Sequence, residues 1–329
     1  EQGCSISHYE ANHDVHISAE APNEHPKLIH HLQIDAPILA LAIGNQDIYA
    51  GTRDGEIVAW SLKTFELVKR VEAHSRSILC LHLSPNGKLL FSSAGDSIVN
   101  VWCPNTLRLM NHIYSIYDVG DVFSVAYSAQ FERVYLGSQN TSIQWCNIKN
   151  STTRTPPNLD NHPDRRNHRF FDSVAACGTS TPRSPSVRSD IDESIYFEIG
   201  PSHMLQYAHF GYVYCMLIVH DVSRLLESDD DVLISGGGDG TIKLWELRDD
   251  PNEGLKEIAC LGNDDAESIL SIAVDNSFLY SSKLEGTIEL WDLDTLQKVR
   301  VIRTHGGDVT TLQMGWGSLF HATSTGYAG

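Results

Sequence analysis

Short polar turns followed by alternating apolar residues recur along this chain, and each such unit ends on a tryptophan. Aligned on Trp60, Trp102, Trp145, Trp245 and Trp291, the segments read RDGEIVAW, GDSIVNVW, SQNTSIQW, GDGTIKLW and LEGTIELW. A tight turn flanked by residues that alternate with period two predicts a β-hairpin. A further apolar strand precedes each hairpin, as in SILCLHL from Ser77, DVFSVAY from Asp121, YVYCMLI from Tyr212 and SILSIAV from Ser268. An outer strand follows each tryptophan, as in FELVKRV from Phe65 and LQKVRVI from Leu296. The pattern predicts four strands per unit and an all-β fold.

The five tryptophans are separated by 42, 43, 100 and 46 residues, against a period of about 40 to 45 for four-stranded propeller blades. The interval of 100 reads as one period plus an insert. On these features the chain resembles the WD-repeat family, and Trp291-Asp292 keeps the dipeptide that names it. Ser61, Cys103, Cys146 and Glu246 stand in the Asp position elsewhere. The resemblance implies a WD-repeat β-propeller with seven blades expected in the parent protein, about five of them complete here plus part of a sixth. Residues 26–34 (PKLIHHLQI) read as an outer strand that completes the last blade. DVTTLQM from Asp308 and the following LFHATS begin the sixth blade, and the native chain is expected to continue past Gly329.

In the WD-repeat family a His, Ser or Thr, Asp and Trp network pins each blade, giving a buried indole donor its acceptor. Two repeats carry all four types at matching positions: His74, Ser92, Asp96 and Trp102, then His209, Ser235, Asp239 and Trp245. Asp265, Ser281, Glu285 and Trp291 form a degraded version. Metal binding or acid–base chemistry at these histidines is the alternative, set aside because each has a ready structural partner.

Charge narrows the partners. Lys and Arg number 24 against 42 Asp and Glu, a formal net charge of −18, so the averaged field repels nucleic acid and anionic membrane surfaces. The only basic run is the short segment 164–169 (DRRNHR). Seven cysteines form no Cys-x-x-Cys pair, and Cys80 and Cys215 sit within apolar strands, a usage that fits a reducing, cytoplasmic setting. No apolar run approaches the length of a spanning helix.

Two stretches stand outside the repeat. Residues 1–25 form a polar arm expected to be disordered, whose His13, Asp14 and His16 lack a rigid element to hold a metal. The rest, 26–329, reads as propeller with an insert over residues 149–201 in blade three, rich in Ser, Thr, Pro and Asn and expected to be disordered. Thr181-Pro182 and Ser184-Pro185 within it have the form of proline-directed phosphorylation sites, or are ordinary solvated loop. His168, Arg169, Phe170, Phe171 and Asp172 place two adjacent aromatics among charges, a composition suited to docking, either on the chain's own propeller or on a partner.

No active site is legible. The GGGDG run from Gly236 imitates a phosphate-cradling loop, but no Lys follows and it opens a strand where such loops open a helix. A narrower resemblance lies in YDVGDVFSVAY (117–127), LGSQNTS (136–142), HRFFDS (168–173) and LQYAHFGYVY (205–214). In this order they are similar to the N-terminal propeller of fungal di- and tripeptidase-like proteins of the cytosolic glutathione-degradation complex. That resemblance implies a non-catalytic scaffold in this span and a zinc metallopeptidase-like hydrolase domain beyond it. It also implies a glutamine-amidotransferase-like partner subunit, with hydrolysis of the γ-glutamyl bond of glutathione by the assembly. No cofactor is expected within the span itself. The alternative is a WD-repeat adaptor in an unrelated cytosolic or nuclear complex.

Overall fold

The computed structural model describes residues 32–149, 196–220, 231–250, 254–262, 267–304, 306–315 and 317–324. They group into two compact units, one of Leu32–Ile218 with Leu247–Lys256, the other containing Val219–Glu246 and Glu257–Gly329.

In the first unit β1 (Ile38–Ile43), β2 (Asp47–Thr52), β3 (Glu56–Ser61) and β4 (Leu67–Glu72) form a four-stranded antiparallel sheet in sequence order. The strands β5 (Ile78–Leu83), β6 (Leu90–Ala94), β7 (Ile98–Cys103) and β8 (Arg108–Ser115) form the next. A third sheet holds β9 (Val122–Ser128), β10 (Arg133–Ser138) and β11 (Ile143–Asn147). These sheets are blades of a WD-repeat β-propeller. Middle strands are buried on both faces: in EIVAWS of β3, Ile57, Val58, Ala59 and Trp60 are all buried. Outer β4 alternates between exposed and half-buried. Blade stacking removes both faces of an inner strand from water, which converts the alternating signature into a nearly continuous apolar run.

The residues beyond 195 depart from expectation. Tyr196–Ile199, placed within a disordered insert by the sequence reading, is an ordered strand, β12, that runs parallel to β8 as a fifth strand of the second blade. Phe197 and Ile199 complete the apolar layer between the second and third blades, with Phe91, Val101, Val122 and Leu136. Tyr114 Oη donates to Glu198 Oε2 at 3.0 Å, and His112 stacks on Tyr196 with ring centroids 4.7 Å apart. The outer strand of the third blade is then only the two residues of β13 (Met204–Leu205), paired with β11. A single turn of 3-10 helix (Pro201–His203) joins β12 to β13, and β14 (Val213–Val219) follows.

The predicted outer strand at 26–34 is described only at its last three residues. Residues 26–31 lie outside the described part, and Leu32 to Ile34 are not strand. Leu32 and Ile34 instead pack against Ala50, Val58 and Trp60 of the first blade.

In the second unit β15 (Val232–Gly237) and β16 (Thr241–Leu247) form the GGGDG hairpin, and β17 (Leu255–Gly262) is the outer strand that follows. β18 (Ser271–Asp275), β19 (Phe278–Ser282), β20 (Thr287–Asp292) and β21 (Gln297–Arg303) make a complete four-stranded sheet. β22 (Val309–Gly315) and β23 (Ser318–Thr323) pair as the start of the sixth blade, with Val309 and Leu312 packed on Ala273 and Ile288.

One feature of the repeat was not visible in the sequence. The register shifts at Ala59/Trp60, Val101/Trp102 and Leu290/Trp291, so a bulge falls at the tryptophan of three blades. The turn that follows holds Phe65, Leu107 and Leu296 at φ 60, 50 and 56. Phe65 N–H and Leu107 N–H each return 2.8 Å to the carbonyl four residues earlier. Extra residues in one strand of a pair bend it and re-aim its side chains, which here sets the indole inward.

Gly55 is the residue on which the first blade's turn depends. It sits at φ 85, and a Cβ there would fall on the carbonyl oxygen of His74. Its own carbonyl accepts from Ala73 N–H and His74 N–H, each at 2.9 Å. Gly55→Ala is therefore expected to destabilise the protein by about 2 kcal/mol or more, measured as a lower urea midpoint with an unchanged slope. An unchanged midpoint would show that this close approach is relaxed at no cost.

Candidate functional site

The best-defined polar constellation lies on the second blade. Trp102 Nε1 donates to Ser92 Oγ at 2.8 Å, Ser92 Oγ is 2.7 Å from His74 Nε2, and His74 Nδ1 lies 3.0 and 3.1 Å from the two Asp96 oxygens. Asp96 also accepts from the backbone N–H of Ser75 and of Ile98, both at 3.2 Å. One carboxylate thereby ties the loop before β5 to the turn between β6 and β7. Burial alone would raise the pKa of Asp96. The charge and hydrogen bond of His74, with the backbone donors of Ile98 and Ser75, outweigh it and hold the carboxyl below its usual range.

A Ser–His–Asp line at these distances also meets the geometric description of a nucleophilic triad. Access decides the matter. Ser92 is fully buried, the His74 side chain is 0% exposed, and the Ser92 oxygen already accepts from an indole. No substrate carbonyl can approach it. The constellation is a structural pin.

A second polar layer, absent from the sequence reading, lies behind it. Asn100 Nδ2 donates to Ala73 O at 2.7 Å, and Asn100 Oδ1 is 2.6 Å from His112 Nδ1. His112 is thus fixed between Asn100 and the Tyr196 ring of β12. Nothing in the repeat pattern marks it, because the Tyr196 ring on which it stacks comes from a strand far away in sequence.

The second predicted set divides between the two units. Trp245 Nε1 donates to Ser235 Oγ at 2.8 Å, and Asp239 Oδ1 accepts from Thr241 N–H and Oγ1 at 3.0 and 2.8 Å. His209, in the first unit, is fully buried. In the degraded set Trp291 Nε1 donates to Ser281 Oγ at 3.3 Å, and Glu285 stands at φ 55 with its N–H on Asp308 Oδ1 at 3.0 Å. Asp265 lies outside the described residues, as do His168, Arg169, Phe170, Phe171 and Asp172 and the arm 1–25.

The third blade replaces the pin. Tyr135 and Gln139 occupy the Ser and Asp positions, and Trp145 Nε1 is buried without a hydrogen-bond partner. Its ring lies against Gly254, where any Cβ would strike the indole. Arg133, 1% exposed, does the tying instead: Nε donates to Asn147 Oδ1 and Nη1 to Arg248 O, both at 2.6 Å. Its guanidinium also lies 5.6 Å from the centroid of the Phe131 ring. Sequence reasoning passed over Arg133 because an isolated arginine in a strand gives no signal of burial.

No group of three or more His, Cys, Asp or Glu side chains among the described residues is arranged to hold a metal. No helix among these residues is long and apolar enough to cross a membrane.

Two histidines make stability depend on pH. Burial pushes His82 down from 6.5 to about 4, and its Nε2 is shut from water without a partner. Burial also lowers His112 to about 4, with the His74 charge acting the same way and Asp96 opposing it. A histidine with a depressed folded pKa binds fewer protons folded than unfolded between those two values, so stability falls as pH drops from about 6.5 towards 4. Each group contributes up to about 1.4 kcal/mol per pH unit in that window. His82→Leu is expected to flatten the dependence of the urea midpoint on pH there; an unaltered slope would contradict the assignment.

The comparisons with known proteins agree with this architecture. The WD domain, G-beta repeat model matches residues 65–103 and 202–246. The chain is 28% identical over 339 residues to the probable di- and tripeptidase DUG2 of Saccharomyces cerevisiae, covering 92% of this chain and 39% of that protein. It thus spans about two fifths of that relative's length. WD repeat-containing protein 18 of Bos taurus is 22% identical, over 82% of this chain and 62% of its own. Among solved structures, the computationally designed Ika8 protein aligns with a TM-score of 0.54 at 19% identity, covering 90% of this chain and 70% of that one, which bears on fold alone. With its tryptophan-anchored four-stranded sheets, the chain carries WD repeats in a β-propeller-type fold and is similar over 92% of its length to the probable di- and tripeptidase of Saccharomyces cerevisiae.

Proposed function

We propose that this chain is the propeller portion of a larger glutathione-degrading subunit, acting as a non-catalytic scaffold for protein assembly in the cytoplasm. The observation that carries this reading is the extent of the similarity to the yeast di- and tripeptidase-like protein, which reaches 92% of this chain. That span is far wider than the residues 65–103 and 202–246 that the repeat model matches. The Ser92–His74–Asp96 line, buried and already committed to the indole, favours a structural role for these side chains.

In this reading a zinc metallopeptidase-like domain belongs to the rest of the parent protein. The propeller recruits a glutamine-amidotransferase-like subunit, and the assembly hydrolyses the γ-glutamyl bond of glutathione. Rigid blades suit recruitment because little conformational freedom is lost when a partner docks on preformed loops.

The test compares the parent protein with a version lacking this span, each co-expressed with the amidotransferase-like subunit. The intact pair is expected to co-purify and release glutamate from glutathione, and removal of the span to reduce both at least tenfold. Undiminished recovery and turnover without the propeller would overturn the scaffold role.

A further inference from the structure

Three loops on one end of the first unit are hydrogen-bonded into a continuous surface. Gln139 N–H donates to Asp121 O at 2.8 Å, Asn140 N–H to Val119 O at 3.2 Å, and His209 N–H to Thr141 O at 3.3 Å. Asp121 N–H returns to Gln139 Oε1 at 3.0 Å, and Ser97 Oγ donates to Gly120 O at 2.7 Å. The loop 117–121, the turn 139–141 and the loop 206–212 are therefore one preformed platform, joined to the turn of the second blade.

Aromatic rings project from this platform. Tyr207 and Phe210 are 76% and 81% exposed and Tyr117 is 41% exposed, whereas Ala208 and His209 between the first two are buried. Buried anchors flanked by outward rings fix how those rings are presented. Tyr207 is held at φ 56, a conformation costly for a bulky side chain unless its surroundings impose it. At the root of the loop, Phe123, Tyr212 and Tyr214 form a three-ring cluster with centroids 5.1 to 5.9 Å apart.

The charge on the platform has one sign. Residues 117–121, 139–141 and 206–212 contain no Lys or Arg; Asp118 is partly exposed there and Asp121 is buried beneath the surface, in a chain of net charge −18. Exposed aromatic faces attract cations through the ring quadrupole, at roughly 0.5 to 2 kcal/mol per contact, and an anionic surround speeds encounter with a basic partner. Rings already fixed in place also avoid the ordering cost of a flexible contact.

We infer that the Tyr117, Tyr207 and Phe210 surface is a docking site for an arginine-bearing segment of a partner polypeptide. This deepens the scaffold reading and rests on it, naming the surface and the chemistry of what it recruits.

The probe is a phage-displayed library of random dodecapeptides, panned on the full chain. Enrichment of peptides carrying arginine is expected, with binding that weakens as salt is raised. Those peptides should lose at least tenfold in affinity for a Tyr207→Asn, Phe210→Ser double variant, asparagine being chosen because it tolerates positive φ. Tyr117→Ser, on a separate loop, should cost roughly threefold, so the outcome does not hang on the folding of one loop. Absence of enrichment, selection of acidic or uncharged peptides, or equal binding by all variants overturns the inference. If the library fails while the parent protein still recovers the amidotransferase-like subunit, the docking surface alone falls. If the library succeeds while recovery fails, the glutathione assignment alone falls.

Discussion

A tryptophan packed between stacked sheets brings a polar N–H into a place without water, and that donor must be given an acceptor or its desolvation lowers stability. On the second blade the acceptor is the Ser92 hydroxyl, itself held by His74, which Asp96 holds in turn. Because Asp96 also takes the backbone N–H groups of Ser75 and Ile98, solving the indole problem fixes two loops at the blade end. Burial makes each member of the line depend on the next, since a group left unpaired in a dry interior costs more than the bond it made. The loops so fixed adjoin the platform that carries Tyr117, Tyr207 and Phe210.

The third blade shows what happens when the same problem is met with other residues. Tyr135 replaces the serine, the Trp145 donor goes without a partner, and the ring is covered by the bare backbone of Gly254. A buried arginine takes over the long-range tie through Asn147 and the carbonyl of Arg248. That blade also has the shortest outer strand, while the chain returning at Tyr196–Ile199 widens the second blade. Blades two and three are thereby joined by an apolar layer to which the added strand contributes Phe197 and Ile199.

Much of this was legible because the repeat is enforced locally. Spacing of the tryptophans, the acidic turns and the period-two strands all answer to interactions within about 30 residues, so they leave a pattern along the chain. The four-residue set on the second blade could be named from type and spacing for that reason. What escaped depends on partners distant in sequence. β12 pairs with β8 across 84 residues in a parallel register, and no hairpin signal announces such a pairing. His112 and Arg133 look like ordinary strand residues until Asn100, Tyr196, Asn147 and Arg248 are brought around them. The bulge at the tryptophan of three blades escaped too, since the αL residues after it are Phe65, Leu107 and Leu296, where a reading of turns looks for Gly or Asn.

The most direct test of the account is a double-mutant cycle on the buried line, with Ser92→Ala, Asp96→Asn and the double variant compared by equilibrium unfolding. If the indole, hydroxyl, imidazole and carboxylate act as one unit, the two changes are coupled by about 1 to 3 kcal/mol, the second costing far less once the first has been made. Strict additivity of the two losses would contradict it, leaving the four side chains as neighbours and not a pin.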